Sequence, residues 1–133
     1  MDHTESHPNP IDAFLAAVVT GDVSSCSAWA EDAELDATVP NWRFTVRGAD
    51  AIRAEYGRWF AQAGKMDELR RLPTADGEVV EYVVSWEELG IPHAAHHVHI
   101  LRVRDGHIAA DTVMCGGRWP AALLAQMEEA AHA

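Results

Sequence analysis

Little in this sequence could hold a chain together covalently or fix it in a membrane. Cysteine is nearly absent, with Cys26 and Cys115 the two among 133 residues. Two isolated thiols form neither a disulfide framework nor a zinc spacing. Each reads as a small buried hydrophobe, and a reducing cytoplasm is the expected location. Long apolar runs are missing too. The run from Ala13 to Val19 is far short of the ~20 residues that span a bilayer. Asp2 and Glu5 stand where a basic leader would be, so neither a signal peptide nor an anchor is expected. Basic residues are few: 10 Lys plus Arg against 21 Asp plus Glu, for a formal net charge of −11. A phosphate backbone or an anionic membrane surface would be repelled, so neither is expected as a partner. There is no internal repeat and no low-complexity segment.

What is present suits one folded unit. The composition is 48% hydrophobic and 23% charged, ordinary for a globular chain, and the length suits a single domain. Residues 1–10 are polar, carry two prolines and show no period, and read as a flexible tail before a domain over 11–133. A helix is expected from Pro10 to about Val19, with Gly21 as its stop. A short helix over Val23 to Trp29 follows, then strands over Glu34 to Val39 and Arg43 to Val46. Ile52, Tyr56, Trp59 and Phe60 lie at i, i+4, i+7 and i+8, the apolar stripe of a third helix closed by Gly64. Strands are expected over Asp67 to Thr74, Glu78 to Leu89, His93 to Arg104 and His107 to Cys115. Asp105-Gly106 makes a two-residue hairpin turn, and Pro120 opens a terminal helix to about Ala131. Helices followed by an antiparallel meander indicate an α+β domain.

The turns set an expected register. A three-residue loop at 90–92 pairs Trp86 with His96 and Tyr82 with Ile100. The Asp105-Gly106 turn pairs Ile100 with Asp111 and His96 with Cys115. Alternation then places Tyr82, Trp86, His96, Val98, Ile100, Asp111, Val113 and Cys115 on one face, the expected inner one. His97, His99, Leu101, Val103, Ile108 and Met114 fall on the other. There Leu101, Val103, Ile108 and Met114 form a candidate dimer patch. Within this register Tyr82 and Asp111 lie about 9–10 Å apart, and His96 and Asp111 roughly 13 Å. They would bracket a small ligand.

Three stretches carry a resemblance: Trp29-Ala30-Glu31-Asp32-Ala33-Glu34-Leu35-Asp36, Val46-Arg47-Gly48-Ala49-Asp50-Ala51-Ile52-Arg53, and Leu101-Arg102-Val103-Arg104-Asp105-Gly106-His107-Ile108. In order and spacing they resemble the SnoaL-like branch of the nuclear transport factor 2-like superfamily, over about residues 11–119. The resemblance implies a curved antiparallel sheet wrapped around N-terminal helices into a cone with an open pocket, plus a short C-terminal helix. It also implies frequent dimers and a range of chemistry: ketosteroid isomerase, scytalone dehydratase, limonene epoxide hydrolase, polyketide cyclases and non-catalytic binding domains. Fold alone does not choose among them. By the same resemblance the ketosteroid isomerase base lands on Ala37, and its acidic oxyanion donor lands near Val98. Neither residue can perform that role, which argues against steroid isomerase chemistry.

The candidate site follows. Asp111 lies between Ile108-Ala109-Ala110 and Thr112-Val113-Met114. Burial in such surroundings raises a carboxyl pKa and suits a general acid or base. The plainer role is a salt bridge to Arg102. His96 is the expected proton partner, or else a core histidine bonded to a backbone carbonyl. Tyr82 is expected to orient a carbonyl or hydroxyl. The expected pocket adds Asp36, Trp42, Tyr56, Trp59, Trp86, Val98, Ile100, Val113 and Cys115. Cys115 lacks the adjacent base a nucleophile needs. His93, His96, His97 and His99 invite a metal reading, but no carboxylate or Cys completes the set, so no metal or cofactor is expected. The ligand would be a small hydrophobic organic molecule, acted on by isomerase, dehydratase, cyclase or hydrolase chemistry. The alternative is a non-catalytic ligand-binding or dimerisation module, with a homodimer formed through the sheet in either case.

Overall fold

A computed structural model describes residues 9–132. Residues 1–8 of the expected tail lie outside the described residues. Asn9 and Pro10 belong to the first helix, α1 (Pro10–Thr20). The Asn9 side chain accepts from the Ile11 N–H at 2.8 Å, and Pro10 opens the first turn, where its missing N–H costs nothing. Gly21 closes the helix at φ 74°, in the left-handed region glycine tolerates. Ile11, Phe14, Leu15 and Val18 form its buried stripe.

A 3₁₀ turn (Val23–Ser25) stands where a short helix was expected, and the chain is extended again from Trp29. Strand β1 (Trp29–Val39) pairs antiparallel with β2 (Trp42–Arg47). Helix α2 (Ala49–Trp59) buries Ile52 and Tyr56 against α1 and the sheet. Four long strands follow: β3 (Lys65–Pro73), β4 (Gly77–Glu88), β5 (Ile91–Arg104) and β6 (His107–Pro120), then helix α3 (Ala121–Ala131). The six strands lie in the order β2-β1-β6-β5-β4-β3. Every neighbouring pair is antiparallel except β1 with β6, which run parallel. The result is an α+β fold in which a curved, unclosed sheet holds α1 and α2 against its inner face. Leu35, Ala37, Val80, Leu101, Ile108 and Val113 supply much of that face. No helix among the described residues is long and apolar enough to cross a membrane.

The register differs from the expected one in two places, and both move side chains between faces. The β4–β5 turn is the two residues Leu89-Gly90, at φ 52° and 78°. It is not a loop over 90–92. Both central residues sit at positive φ, as a type I′ hairpin requires. Tyr82 therefore pairs with His97 rather than Ile100, and Trp86 with His93 rather than His96. This is a slip of three residues, and an odd slip turns every β5 side chain over. On β6 the register shifts between the Val103–Ile108 and Arg102–Ala110 pairs. Ala109 is the extra residue, and this bulge lets Ile108 and Asp111 both face inward.

The consequences are specific. His97, His99 and Leu101 are buried on the inner face, not the outer one. His96, Val98 and Ile100 are outside, with Ile100 41% exposed. Leu101 and Ile108 are core, so the expected dimer patch loses both. Met114 remains outside, and Val103 packs against the core. The last strand does not break at Gly116-Gly117. It continues to Pro120, with Gly117 at φ 107°.

Candidate functional site

At one end of the inner face, a cavity of about 500 Å³ is lined by residues from the C-terminal end of α2 and from the sheet. Trp59, Phe60, Val84, Trp86 and Ala95 give it apolar walls, and His97 and Cys115 lie side by side on the sheet. Glu55, Arg58 and Arg118 also line it. These charges are internally matched. Arg58 pairs with Glu55, whose other oxygen accepts from Trp59 Nε1 at 2.9 Å. Arg118 pairs with Glu88 and lies over the Trp86 ring at 5.5 Å.

His97 is the innermost polar group of the cavity wall, 3% exposed. Its Nδ1 lies 3.1 Å from Tyr82 Oη. Tyr82 Oη is 2.9 Å from His99 Nε2. His99 Nδ1 is 2.9 Å from Asp111 Oδ1, and Tyr56 Oη donates to Asp111 Oδ2 at 2.7 Å. Five side chains from α2, β4, β5 and β6 thus form one continuous hydrogen-bonded row from the cavity into the core. Tyr82, His99, Asp111 and Tyr56 are fully or almost fully buried. Unpaired polar groups there would cost about 1–3 kcal/mol each, so each link supports the next. Packing holds the rings: Tyr82 stacks on His99 at 5.4 Å and 17°, and Phe14 meets His99 edge-on at 5.2 Å.

The environment sets the protonation states. Burial, then the neighbouring His99 and His96, push His97 down from 6.5 to about 3, so it is neutral near pH 7. Burial and the Asp111 charge raise Tyr56 and Tyr82 well above the usual phenol range, so both keep their protons and can donate. Burial raises Cys115, whose Sγ accepts from the Gly117 N–H at 3.3 Å. It is a thiol and a poor nucleophile.

The expected site residues separate into three sets. Trp59, Trp86 and Cys115 line the cavity. Tyr82, Asp111, Tyr56 and Val113 are buried behind it and do not line it. Asp111 makes no pair with Arg102, which instead bonds Asp76 at 2.8 Å. The third set is elsewhere. His96 lies on the outer face, where its Nε2 is 2.9 Å from Glu81 Oε2, and Arg70 bonds the other Glu81 oxygen. His96, then Arg70, hold the Glu81 carboxyl below its usual range. Asp36 faces outward in a two-point pair with Arg43, at 3.0 and 2.7 Å, and Trp42 is 70% exposed. Neither Asp36, Trp42, Val98 nor Ile100 lines the cavity. Sequence reasoning missed His97 and His99 as inner residues. The available signal was the alternation of His97, His99 and Leu101 themselves, which fits either face until the turn is known. Among the described residues no group of three His, Cys, Asp or Glu is arranged to hold a metal ion.

No protein-family model matches the sequence, and no curated protein is significantly similar to it. Solved structures are similar. A candidate isomerase from Bacillus subtilis matches with a TM-score of 0.67 at 18% identity, covering 87% of this chain and 90% of that one. A protein of ketosteroid isomerase-like fold from Catenulispora acidiphila, solved with trimethylamine, matches at 0.62 and 20% identity, over 80% and 84% of the chains. A candidate polyketide cyclase from Xanthomonas campestris matches at 0.60 and 21%, over 79% and 86%. These likenesses establish the fold: the chain has the nuclear transport factor 2-like architecture that the three sequence stretches resemble.

Proposed function

We propose that this protein binds a small, largely apolar organic molecule in the α2–sheet cavity and acts on it by acid–base chemistry. His97 is the group at the ligand. Tyr82, His99 and Asp111 are positioning residues behind it. The observation that carries this is an apolar cavity of about 500 Å³ whose sheet wall holds a neutral imidazole backed by a buried polar row. The volume lies within the ordinary range for small-molecule pockets, and few convergent polar groups in an apolar wall are their usual pattern. The reaction class is of isomerase, dehydratase, cyclase or hydrolase type, and two of these, isomerase and polyketide cyclase, appear in the names of similarly folded proteins.

The test starts from binding. Trp59 and Trp86 line the cavity, so their fluorescence reports ligands from a panel of cyclic ketones, epoxides and phenols. Any ligand that is turned over is then assayed with two variants. His97→Gln is expected to lose about 10²–10⁴-fold in turnover while still binding, and His96→Gln to behave as wild type. Equal turnover by His97→Gln and wild type would remove His97 from the chemistry. One observation favours a second reading as a binding module: a histidine held near 3 is by itself a weak base. Tight binding with no turnover of any ligand would favour that reading.

The homodimer through the sheet belongs to the same proposal. The outer face of β5 and β6 exposes Ile100 and Met114 beside half-buried Val98. Met114→Arg should convert a dimer to a monomer in sedimentation, and a monomeric wild type would reject the proposal.

A further inference from the structure

His97 taken alone is badly placed to hold a charge. Its ring sits in an apolar wall, beside His99 and against Trp59, Phe60 and Tyr82. The geometry behind it offers another destination. We infer that His97, Tyr82, His99 and Asp111 form a proton relay, and that the cavity therefore takes ligands with an acidic X–H group, such as phenols, enols or enolisable carbon acids. The inference rests on the cavity reading above and names its ligand class.

Direction is what makes the row informative. As a carboxylate, Asp111 only accepts. Tyr56 donates to one oxygen, so His99 Nδ1–H serves the other. His99 Nε2 is then a lone pair, and the Tyr82 hydroxyl donates to it. Tyr82 oxygen is left to accept, and His97 Nδ1–H donates to it. The Nε2 of His97 is consequently a lone pair. It has no hydrogen-bond partner among the described residues, and it is not sealed from solvent-sized space as Trp29 Nε1 is. The cavity lies against that residue. The wall thus presents an acceptor and calls for a donor.

The same bonds can carry the proton on. The ligand X–H bond breaks and an N–H bond forms at His97 Nε2. His97 releases its Nδ1 proton to Tyr82 oxygen, and Tyr82 releases its original proton to His99 Nε2. The products are a ligand anion, a neutral His97 in its other tautomer, a neutral Tyr82 and a His99 imidazolium against the Asp111 carboxylate. One negative and one positive charge are formed, and no redox partner is needed. The positive charge rests beside its counter-ion instead of in the apolar wall. Reversal returns a proton to the ligand, which suits an isomerisation in which one proton leaves and one arrives.

The test uses the whole protein and two measurements. Nitrogen-15 NMR of the histidine rings near neutral pH is expected to show His97 protonated at Nδ1 and bare at Nε2. Tyr82→Phe should release that preference. A wild-type His97 protonated at Nε2 would overturn the relay, and this holds whether or not any ligand is known. Matched probes then test the ligand class, at a pH where free 4-nitrophenol is uncharged. 4-Nitrophenol should bind at least about tenfold more tightly than 4-nitroanisole, which lacks the donor, and Tyr82→Phe should shrink that ratio. Equal binding of the two would overturn the ligand class. Where bound 4-nitrophenol turns to its yellow anion, the doubly protonated ring should be His99, and a doubly protonated His97 would overturn the relay. If neither probe binds, the apolar-ligand reading is what fails, and the tautomer result still decides the relay.

Discussion

At the residue scale, a histidine kept neutral by burial makes stability depend on acid. In the folded protein His97 takes up a second ring proton only below about 3, against 6.5 when unperturbed. Above pH 6.5 both states are neutral and His97 adds no pH dependence. As pH falls from 6.5 towards 3, the unfolded chain takes up a proton that the folded chain refuses. His97 then removes stability at up to about 1.4 kcal/mol per pH unit. Urea midpoints measured across that window should fall for the wild type. His97→Leu should flatten the slope by about one proton, and an unchanged slope would show that other groups cause it. Tyr82→Phe tests the neighbouring link. It strands His97 Nδ1–H and His99 Nε2 in the core, which should cost about 1–3 kcal/mol per stranded group, read from the same urea curves.

At the scale of elements, two short features decide which residues meet the cavity. The first is the Leu89-Gly90 turn. Leu89 sits at φ 52° and is fully exposed, so its side chain gains nothing while its backbone is strained. Leu89→Asn should raise stability by about 1 kcal/mol, seen as a higher urea midpoint. The second is the Ala109 bulge. Deleting Ala109 would remove the extra residue and leave Ile108 and Asp111 two positions apart, so plain alternation keeps both inward. The variant should still unfold cooperatively in urea, and loss of cooperativity would show that the bulge itself is needed.

These two features also mark where the sequence stops being legible. The helix beginning at Pro10, the α2 stripe and the Asp105-Gly106 turn carry their signals locally, in caps, periodicity and glycine. A leucine at positive φ carries no such signal, and the loop-like Gly90-Ile91-Pro92 starts one residue past the start of the true turn and ends two past its end. A bulge within Ile108-Ala109-Ala110-Asp111 leaves no compositional mark. Alternation alone puts Asp111 and Tyr82 inward on their strands, and with the turn misplaced it puts His96 where His97 lies.

At the scale of the whole molecule, little of the charge of −11 falls on the cavity wall, whose charged residues are Glu55, Arg58 and Arg118. Many charged groups are paired on the surface, as in Asp32–Arg104, Glu34–Arg47, Asp36–Arg43 and Asp76–Arg102. At the cavity Arg58 and Arg118 are matched by Glu55 and Glu88. A neutral guest therefore meets little net field. Its affinity should change less than about twofold between low and high salt, since screening acts on exposed charges. A steep salt dependence in a binding titration would point to an anionic ligand held by the two arginines.

His97, and not His96, is the histidine proposed to face the ligand. The most direct measurement is the set of histidine ring signals in ¹H–¹³C NMR spectra as a bound apolar ligand saturates the protein. The His97 signals should move with the binding curve while those of His96 stay in place. Movement of His96 with His97 unmoved would contradict that placement.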